Sequence, residues 1–198
     1  MTRYPLLFAL SLLTACGTFG KATAPLDAYT LSPLPVMSGH ASSRHLVVEL
    51  PTASGAVTTD RILIKPNPLQ AAYLPKGRWV DPAPALLQTL LVASLQNSGA
   101  YRLVGRDGAG LTPDYVLLVE VNAFQAEAPT SDAVGTLVKV GLTLSLVRED
   151  DQSLIATRRF DRTAMATSVD TLNVVAAFDT ATRQILADAV GWVTRTAR

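Results

Sequence analysis

Residues 137–148 read Leu137-Val138-Lys139-Val140-Gly141-Leu142-Thr143-Leu144-Ser145-Leu146-Val147-Arg148. Every even position from Val138 to Leu146 is aliphatic, and the four positions between them are lysine, glycine, threonine and serine. Because successive side chains of a strand point to opposite faces of a sheet, this alternation predicts a β-strand with one buried face. The chain therefore contains a sheet whose hydrophobic side other elements must cover.

Further strands are predicted on both sides of this one. The polar residues 149–152 predict a hairpin turn, and the segment from Ser153 to Ala166 predicts an antiparallel return strand. Upstream, Tyr115–Phe124 is apolar on both faces in its first half, which is typical of a central strand covered on both sides. Shorter β-rich runs lie at 28–31, 46–50, 61–65, 71–74 and 101–104, and Pro51 and Pro66 are predicted to end two of them.

Two helices are predicted to cover the sheet. Asp81 followed by Pro82 predicts a helix start, with the carboxylate as the cap, and leucines then recur at i+4 up to the stop signal at residues 97–99. A second helix is predicted to begin after Asp170, with apolar residues spaced by three or four up to Trp192. The predicted class is α+β, a mostly antiparallel sheet with two amphipathic helices in a single domain at 45–198.

The N-terminus predicts export and lipidation. The apolar stretch 6–13 follows Arg3 and is too short to span a bilayer of about 30 Å, so residues 1–15 are predicted to be a signal peptide. The sequence Leu-Thr-Ala-Cys-Gly at 13–17 resembles the lipobox of bacterial lipoproteins, which predicts lipid on Cys16. The alternatives are a free or buried thiol; no second cysteine is present for a disulfide. Residues 16–44, rich in proline and small residues, are predicted to be a lipidated tether.

Composition argues against nucleic acid as a partner. The chain has 17 Lys and Arg against 16 Asp and Glu, and removal of Arg3 with the signal peptide leaves 16 against 16. A protein that binds nucleic acid needs a net basic face to displace counterions. We therefore expect a protein that binds no nucleic acid.

Catalytic and metal-binding patterns are absent from the sequence. His40 and His45 are five residues apart, which is not the spacing of a helical metal pair, and no serine lies in a G-x-S-x-G elbow. The acidic residues 149–151 fit a solvated hairpin tip better than a calcium or glycosidase site. Arg158, Arg159 and Arg162 on the return strand are either solvated, ion-paired or turned to lipid headgroups or an acidic partner. We predict no enzyme, no metal and no cofactor.

Five segments together resemble one known family: Tyr29–Leu31, Thr59–Lys65, Ala72–Leu74, Arg78–Pro82 and Ser98–Tyr101. They are similar to the auxiliary lipoproteins of ABC-type transport systems. Within that family the likeness is to the lipoproteins of mammalian-cell-entry (MCE) systems, the paraquat-inducible protein C-like group. The similarity extends from the signal peptide to the last helix.

The resemblance implies a non-catalytic role at a membrane. Such a lipoprotein would serve an MCE-type transporter that moves phospholipids or other hydrophobic molecules between the inner and outer membranes, with an MCE-domain protein and the ABC transporter as partners. Gly17 after the lipidated cysteine favours the inner leaflet of the outer membrane, facing the periplasm. The resemblance leaves open whether the protein forms a homo-oligomer. The alternatives are an outer-membrane assembly or structural lipoprotein and, third, an envelope hydrolase.

One pair of residues before the first long helix is a candidate contact with a partner. Trp79 is bracketed by Arg78 and Asp81. A tryptophan at such a position either meets a partner or packs the helix onto the sheet, and the sequence leaves both open. We therefore name Trp79 and Arg78 as candidate partner-binding residues beside the lipidation residue Cys16.

Overall fold

The computed structural model describes residues 25–39, 42–108, 110, 112–128 and 135–197. Within these ranges the chain forms nine strands and two helices in an α+β domain, as predicted. In chain order the elements are β1 (Asp27–Tyr29), β2 (His45–Val48), β3 (Thr52–Ala53), β4 (Arg61–Asn67), β5 (Gln70–Trp79), α1 (Ala83–Asn97), β6 (Leu103–Arg106), β7 (Tyr115–Glu127), β8 (Thr136–Arg148), β9 (Leu154–Ala166) and α2 (Thr171–Thr196).

Strand β7 is the spine of the sheet. On one side it pairs antiparallel with β8 along its whole length, and β8 pairs antiparallel with β9. The other side of β7 is shared by three short parallel partners, with β2 at its start, β3 in the middle and β4 at its end. The longest pairings are thus antiparallel, and the central position predicted for β7 is confirmed.

Two short runs of strands extend the sheet beyond this spine. Strand β6 pairs with β2, and β5 forms an antiparallel hairpin with β4. Strand β1 pairs in parallel with β5, with Asp27 opposite Gly77 and Tyr29 opposite Trp79. Strands β1 and β9 each pair with a single neighbour.

Both helices cover the same face of the sheet and contact each other. The alternating aliphatic residues of β8 point into this layer and are fully buried, as their spacing predicted. Helix α1 ends where the sequence predicted, because Gly99 adopts a left-handed conformation with φ 63° that glycine tolerates without strain. Neither of the two helices of the described residues lies on the opposite face of the sheet.

The helix starts differ from the predicted capping. Helix α1 begins at Ala83 after Pro82, and its first turn has no side-chain cap, so Asp81 does not act as one. The Ala83 N–H donates instead to the carbonyl of Thr59 (3.2 Å), and the following proline has no N–H to satisfy. Asp170 does occupy the N-cap position of α2, but its carboxylate accepts a hydrogen bond from the Ser168 hydroxyl (2.9 Å) rather than from a helix N–H.

The β4–β5 hairpin is longer than the sequence predicted. Strand β4 continues through Pro66 to Asn67, and β5 runs for ten residues up to Trp79. The prediction that Pro66 ends the strand was wrong, because pairing of β4 with β7 stops at Lys65 and the proline lies beyond that neighbour. The hairpin therefore extends past the end of β7.

Part of the predicted tether is folded onto the domain. Residues 27–39, here called the N-terminal strap, form β1 and then cross both helices, with Leu31 and Leu34 buried. The Ser32 N–H donates to Asp179 on α2 (2.7 Å), and the Leu34 N–H donates to Ser94 on α1 (3.1 Å). Strand pairing and leucine burial therefore hold this proline-rich segment, which lies within the tether predicted at 16–44, against the domain.

Candidate functional site

The residues named from the sequence lie in different places. Cys16, the signal peptide and His40 lie outside the described residues. His45 begins β2, where its backbone N–H donates to the Asp114 carboxylate (2.7 Å). That bond, followed by one from Arg44, holds the pKa of Asp114 below its ordinary value. The role of His45 is therefore structural, because its backbone N–H fixes the start of β2 to Asp114.

Trp79 belongs to the core. Only 1% of it is exposed, and its ring packs against Phe124 of β7 and Phe178 of α2, with ring centroids 5.5 and 5.2 Å away. The two phenylalanine rings are also in contact, at 4.8 Å. The ring therefore joins the hairpin, the central strand and the last helix, which is the packing role that the sequence left as an alternative.

Arg78 is partly exposed and paired. Its guanidinium lies 3.4 Å from the Asp60 carboxylate and also donates to the carbonyl of Trp79 (3.2 Å). Both side chains of the ion pair are 39% exposed, so solvent screens their attraction. Of the two candidate contact residues, Arg78 is the one whose side chain reaches the surface.

The face of the sheet that neither described helix covers is a continuous surface of outward-pointing side chains. It is formed by the side chains of β7, β8 and β9 that point away from the core, and most of them are polar. Side chains on adjacent strands are linked across it: Thr143 donates to Asn122 (2.7 Å), and Ser145 and Thr157 share a hydrogen bond (2.8 Å). We call this surface the open face. Its members are Leu118, Glu120, Asn122, Gln125, Glu127, Leu137, Lys139, Thr143, Ser145, Thr157, Arg159, Asp161, Thr163 and Met165.

Ion pairs brace the open face. Lys139 lies 2.6 Å from Glu127, and this contact, with a bond from Gln125, lowers the pKa of the Glu127 carboxyl although burial opposes the shift. Arg159 donates twice to Asp161 (2.8 and 2.9 Å) and lowers the pKa of that carboxyl. These carboxylates are therefore ionised at neutral pH, and their charges are locally balanced.

A groove of about 270 Å³ opens at one side of this face. Its walls come from the segment between β2 and β3 and from the outward side chains of β7 and β8. Leu50 and Leu118 supply apolar surface and are 58% and 38% exposed. The remaining lining residues include Glu49, Glu120, Thr143 and Ser145. The groove combines two exposed leucines with carboxylates and hydroxyls, which suits a peptide segment or a loop of another protein better than a buried small molecule.

The three arginines of β9 divide as the strand alternation predicts. Arg159 points to the open face and pairs with Asp161. On the other side Arg162 pairs with Asp188 of α2, and the Arg158 guanidinium lies 5.1 Å from the centre of the Phe160 ring. Arg159 and Arg162 are therefore ion-paired, whereas Arg158 lies over an aromatic ring.

The described residues contain no cluster of three or more side chains suited to hold a metal ion. Among the same residues no helix is both long and apolar enough to cross a bilayer. The sequence drew attention to residues 78–82 but did not identify the open face. The signal available for it was the run of lysine, glycine, threonine and serine at the outward positions of β8.

Comparison with protein families gives a match over most of the chain. The model of the ABC-type transport auxiliary lipoprotein component family matches residues 29–190. The chain belongs to this family. The auxiliary lipoproteins are envelope-associated, lipid-anchored components of ABC-type transport systems, and their role is an accessory one rather than a catalytic one. The match begins inside the N-terminal strap, in agreement with its packing on the domain.

Individual relatives agree with this assignment. An uncharacterised protein of Bradyrhizobium diazoefficiens is 29% identical over 153 residues, which are 76% of this chain and 39% of that protein. The auxiliary lipoprotein thus spans well under half of that relative. A crystal structure of a Xanthomonas campestris protein is 26% identical with a TM-score of 0.77 over 87% of this chain and 96% of that one. Another crystal structure, of an uncharacterised protein, is 18% identical with a TM-score of 0.62, covers 84% of this chain and 99% of that one, and shows the fold alone.

Proposed function

We propose that this auxiliary lipoprotein is a non-catalytic docking subunit of an MCE-type ABC transport system, anchored through lipid on Cys16. In this role it holds an MCE-domain partner near the inner leaflet of the outer membrane, where phospholipids or other hydrophobic molecules are delivered. The transported molecules pass through the partner, and the lipoprotein holds that partner in position.

The observation that carries the proposal is the open face. A sheet surface that neither described helix covers, with two ion pairs and a shallow groove, has the chemistry of a protein interface, because its polar groups can exchange hydrogen bonds with a partner while two leucines become buried. No cluster of metal-ligating side chains competes with that role in the described residues. The auxiliary status of the family supports the same conclusion.

The lipid anchor makes even a weak protein contact effective. A domain that is lipidated at Cys16 and folded from Asp27 onwards stays within a few tens of ångströms of its membrane, roughly 36 Å at full extension. Confinement to this layer raises the effective concentration of the open face for a transporter in the same envelope. Because the N-terminal strap is packed on the domain, the segment between the lipid and the domain is shorter than the tether predicted from the sequence.

Photo-crosslinking in cells tests the docking surface. A photoreactive amino acid at Ser145, in the groove, is expected to give an adduct with an MCE-domain protein. The matched control is Gln184, which is exposed on the outward side of α2, and no such adduct is expected there. Adducts identified by mass spectrometry as a β-barrel protein would favour the outer-membrane assembly alternative. Equal labelling at both positions would contradict the open face as the docking surface.

The anchor has its own test. Cys16→Ser removes the thiol that receives the diacylglycerol, so we expect an unprocessed precursor that retains residues 1–15. Mass spectrometry of the N-terminal peptide and membrane fractionation measure this. A Cys16→Ser protein that is processed and still lipid-anchored would contradict the assignment.

A further inference from the structure

The β4–β5 hairpin is unusual in its charge. Residues 61–80 contain four cationic side chains and no aspartate or glutamate. Arg78 pairs with Asp60, and the Arg61 guanidinium lies 5.6 Å from the centre of the Tyr73 ring. Lys76 forms no ion pair with another described residue, and Lys65 lies outside ion-pair distance of any described carboxylate but near enough to Glu127 to help lower the pKa of that carboxyl. The hairpin is thus a basic projection on a nearly neutral domain.

The tip of this hairpin is uncharged and presents an apolar side chain. The tip, residues 66–71, is exposed throughout, and Leu69 is 99% exposed. Its shape is fixed, because the Asn67 side chain accepts the Leu69 N–H (3.1 Å) and donates to the Gln70 side chain (2.9 Å). The leucine therefore makes no contact with the core, and its whole side chain is accessible to a surface outside the domain.

The direction of β1 leads back toward this tip. Strand β1 runs parallel to β5, which itself starts at the hairpin turn. The backbone before Asp27 therefore points back along β5, past Lys76, in the direction of the tip. Gly77, opposite Asp27, is seven residues from Gln70, roughly 23 Å along a strand. The eleven steps from Cys16 to Asp27 reach roughly 36 Å when extended, enough to pass the tip.

More apolar surface lies at the same end of the sheet. Lys65 pairs with Glu127, Glu127 with Leu137, and Leu137 with Met165, so these residues form one row across four strands. Met165 in that row and Val169 and Leu172 just after β9 are each more than half exposed. By contrast, Leu154 is 62% exposed at the opposite end, where β9 begins.

From these observations we propose that the hairpin tip rests on the lipid surface that holds the anchor, with Leu69 inserted between headgroups and Lys65, at the base of the tip, against their phosphates. Positive charge around an uncharged apolar tip matches an anionic phospholipid surface. The lipid on Cys16 already holds the domain at that surface, so the tip does not have to reach the bilayer by diffusion from solution. It also orients the open face sideways, along the envelope layer, rather than into the bilayer. This inference rests on lipidation of Cys16.

Site-specific fluorescence tests the contact. Cys16 is the only cysteine and its sulfur is blocked once acylated, so Leu69→Cys in the full-length lipoprotein gives a single site for an environment-sensitive dye. Leu154→Cys is the matched control. In vesicles of phosphatidylethanolamine and phosphatidylglycerol we expect a blue shift at position 69 and loss of its fluorescence when nitroxide-labelled lipids are added. We expect neither change at position 154.

Each outcome decides between specific possibilities. Equal exposure of both dyes to water on vesicles overturns the hairpin contact. Protection at position 69 that requires no vesicles and grows with protein concentration would identify a second copy of the chain as the occupant, and would overturn it too. Mass spectrometry of the same sample shows whether Cys16 is acylated, which separates failure of the anchor from failure of the hairpin. The transporter is not in the assay, so the docking proposal is tested independently.

Discussion

At the scale of single residues, the domain contains buried hydroxyls that form no hydrogen bond. Thr182 of α2 is fully buried in the layer between helix and sheet, and its hydroxyl has no partner. A desolvated polar group without a partner costs free energy, whereas a methyl group of the same shape does not. The sequence pattern of α2 had no means of showing this, because threonine is compatible with either side of a helix.

Thr182→Val is therefore expected to stabilise the protein. We predict an increase of about 1 kcal/mol in the free energy of unfolding, measured by urea denaturation. Thr180→Val two residues earlier is the matched control, because its hydroxyl is exposed and donates to the carbonyl of Ala176 (2.9 Å). That change is expected to stay within about 0.5 kcal/mol of the parent. A destabilising effect at position 182 would reveal a partner for its hydroxyl.

Tyr101 gives a prediction at alkaline pH. Burial raises the pKa of its hydroxyl from 10.0 to about 12, against a smaller opposing effect of the Thr194 hydroxyl. Between these two values the unfolded chain releases the proton while the folded chain keeps it, so stability falls as pH rises from 10 to 12. Tyr101→Phe should remove about 2 to 3 kcal/mol of this loss. Unfolding free energies of both proteins at several pH values in this range check it, and parallel curves would contradict it.

At the scale of elements, the N-terminal strap differs most from its sequence-based description. Prolines and small residues predict an extended segment, and the segment is extended. Whether an extended segment is free or docked depends on surfaces supplied by distant residues. Ser94 and Asn97 of α1 and Asp179 of α2 provide these surfaces, through hydrogen bonds to strap backbone groups at Leu34 and Ser32.

The strap should therefore contribute to global stability. Leu31→Ala and Leu34→Ala are each expected to lower the free energy of unfolding by about 2 to 3 kcal/mol, because each leucine is buried against the core. Val36→Ala is the control, since Val36 is 81% exposed and should change stability little. Thermal or urea unfolding of the mature domain measures the effects. Equal behaviour of all three variants would show that the strap does not remain on the helices.

At the scale of the whole molecule, paired carboxylates set the response to acid. The pKa values of Asp114, Glu127 and Asp161 lie below their ordinary values. Hydrogen bonds from the His45 N–H and from Arg44 lower that of Asp114, and Arg159 lowers that of Asp161. For Glu127, burial raises the pKa, but Lys139 and Gln125 together lower it by more. A lowered folded-state pKa gives stability that is present above the ordinary pKa and is lost as pH falls through the folded value. The domain should therefore keep its stability from neutral pH down to about pH 5 and lose it progressively below about pH 4.5.

Thermal melts across this range measure that loss. Asp114→Asn keeps the shape of the side chain but removes its titration, so its melting temperature should fall less steeply with acid than that of the parent. Asp150→Asn is a suitable control, because Asp150 lies in the β8–β9 turn and forms none of the ion pairs among the described residues. A steeper acid dependence in Asp114→Asn would contradict the assigned direction.

The sequence by itself determined the α+β class, the central strand, the long hairpin of β8 and β9 and both helices, because each rests on a periodicity that local geometry imposes on the side chains. Tertiary structure alone decided the rest: that Trp79 is buried, that the strap is docked, that Thr59 caps the first helix, and that the outward side of β8 faces no helix. All four depend on which distant surfaces meet. Side-chain spacing reports the burial of one face of an element, and it carries no information about the partner across that face.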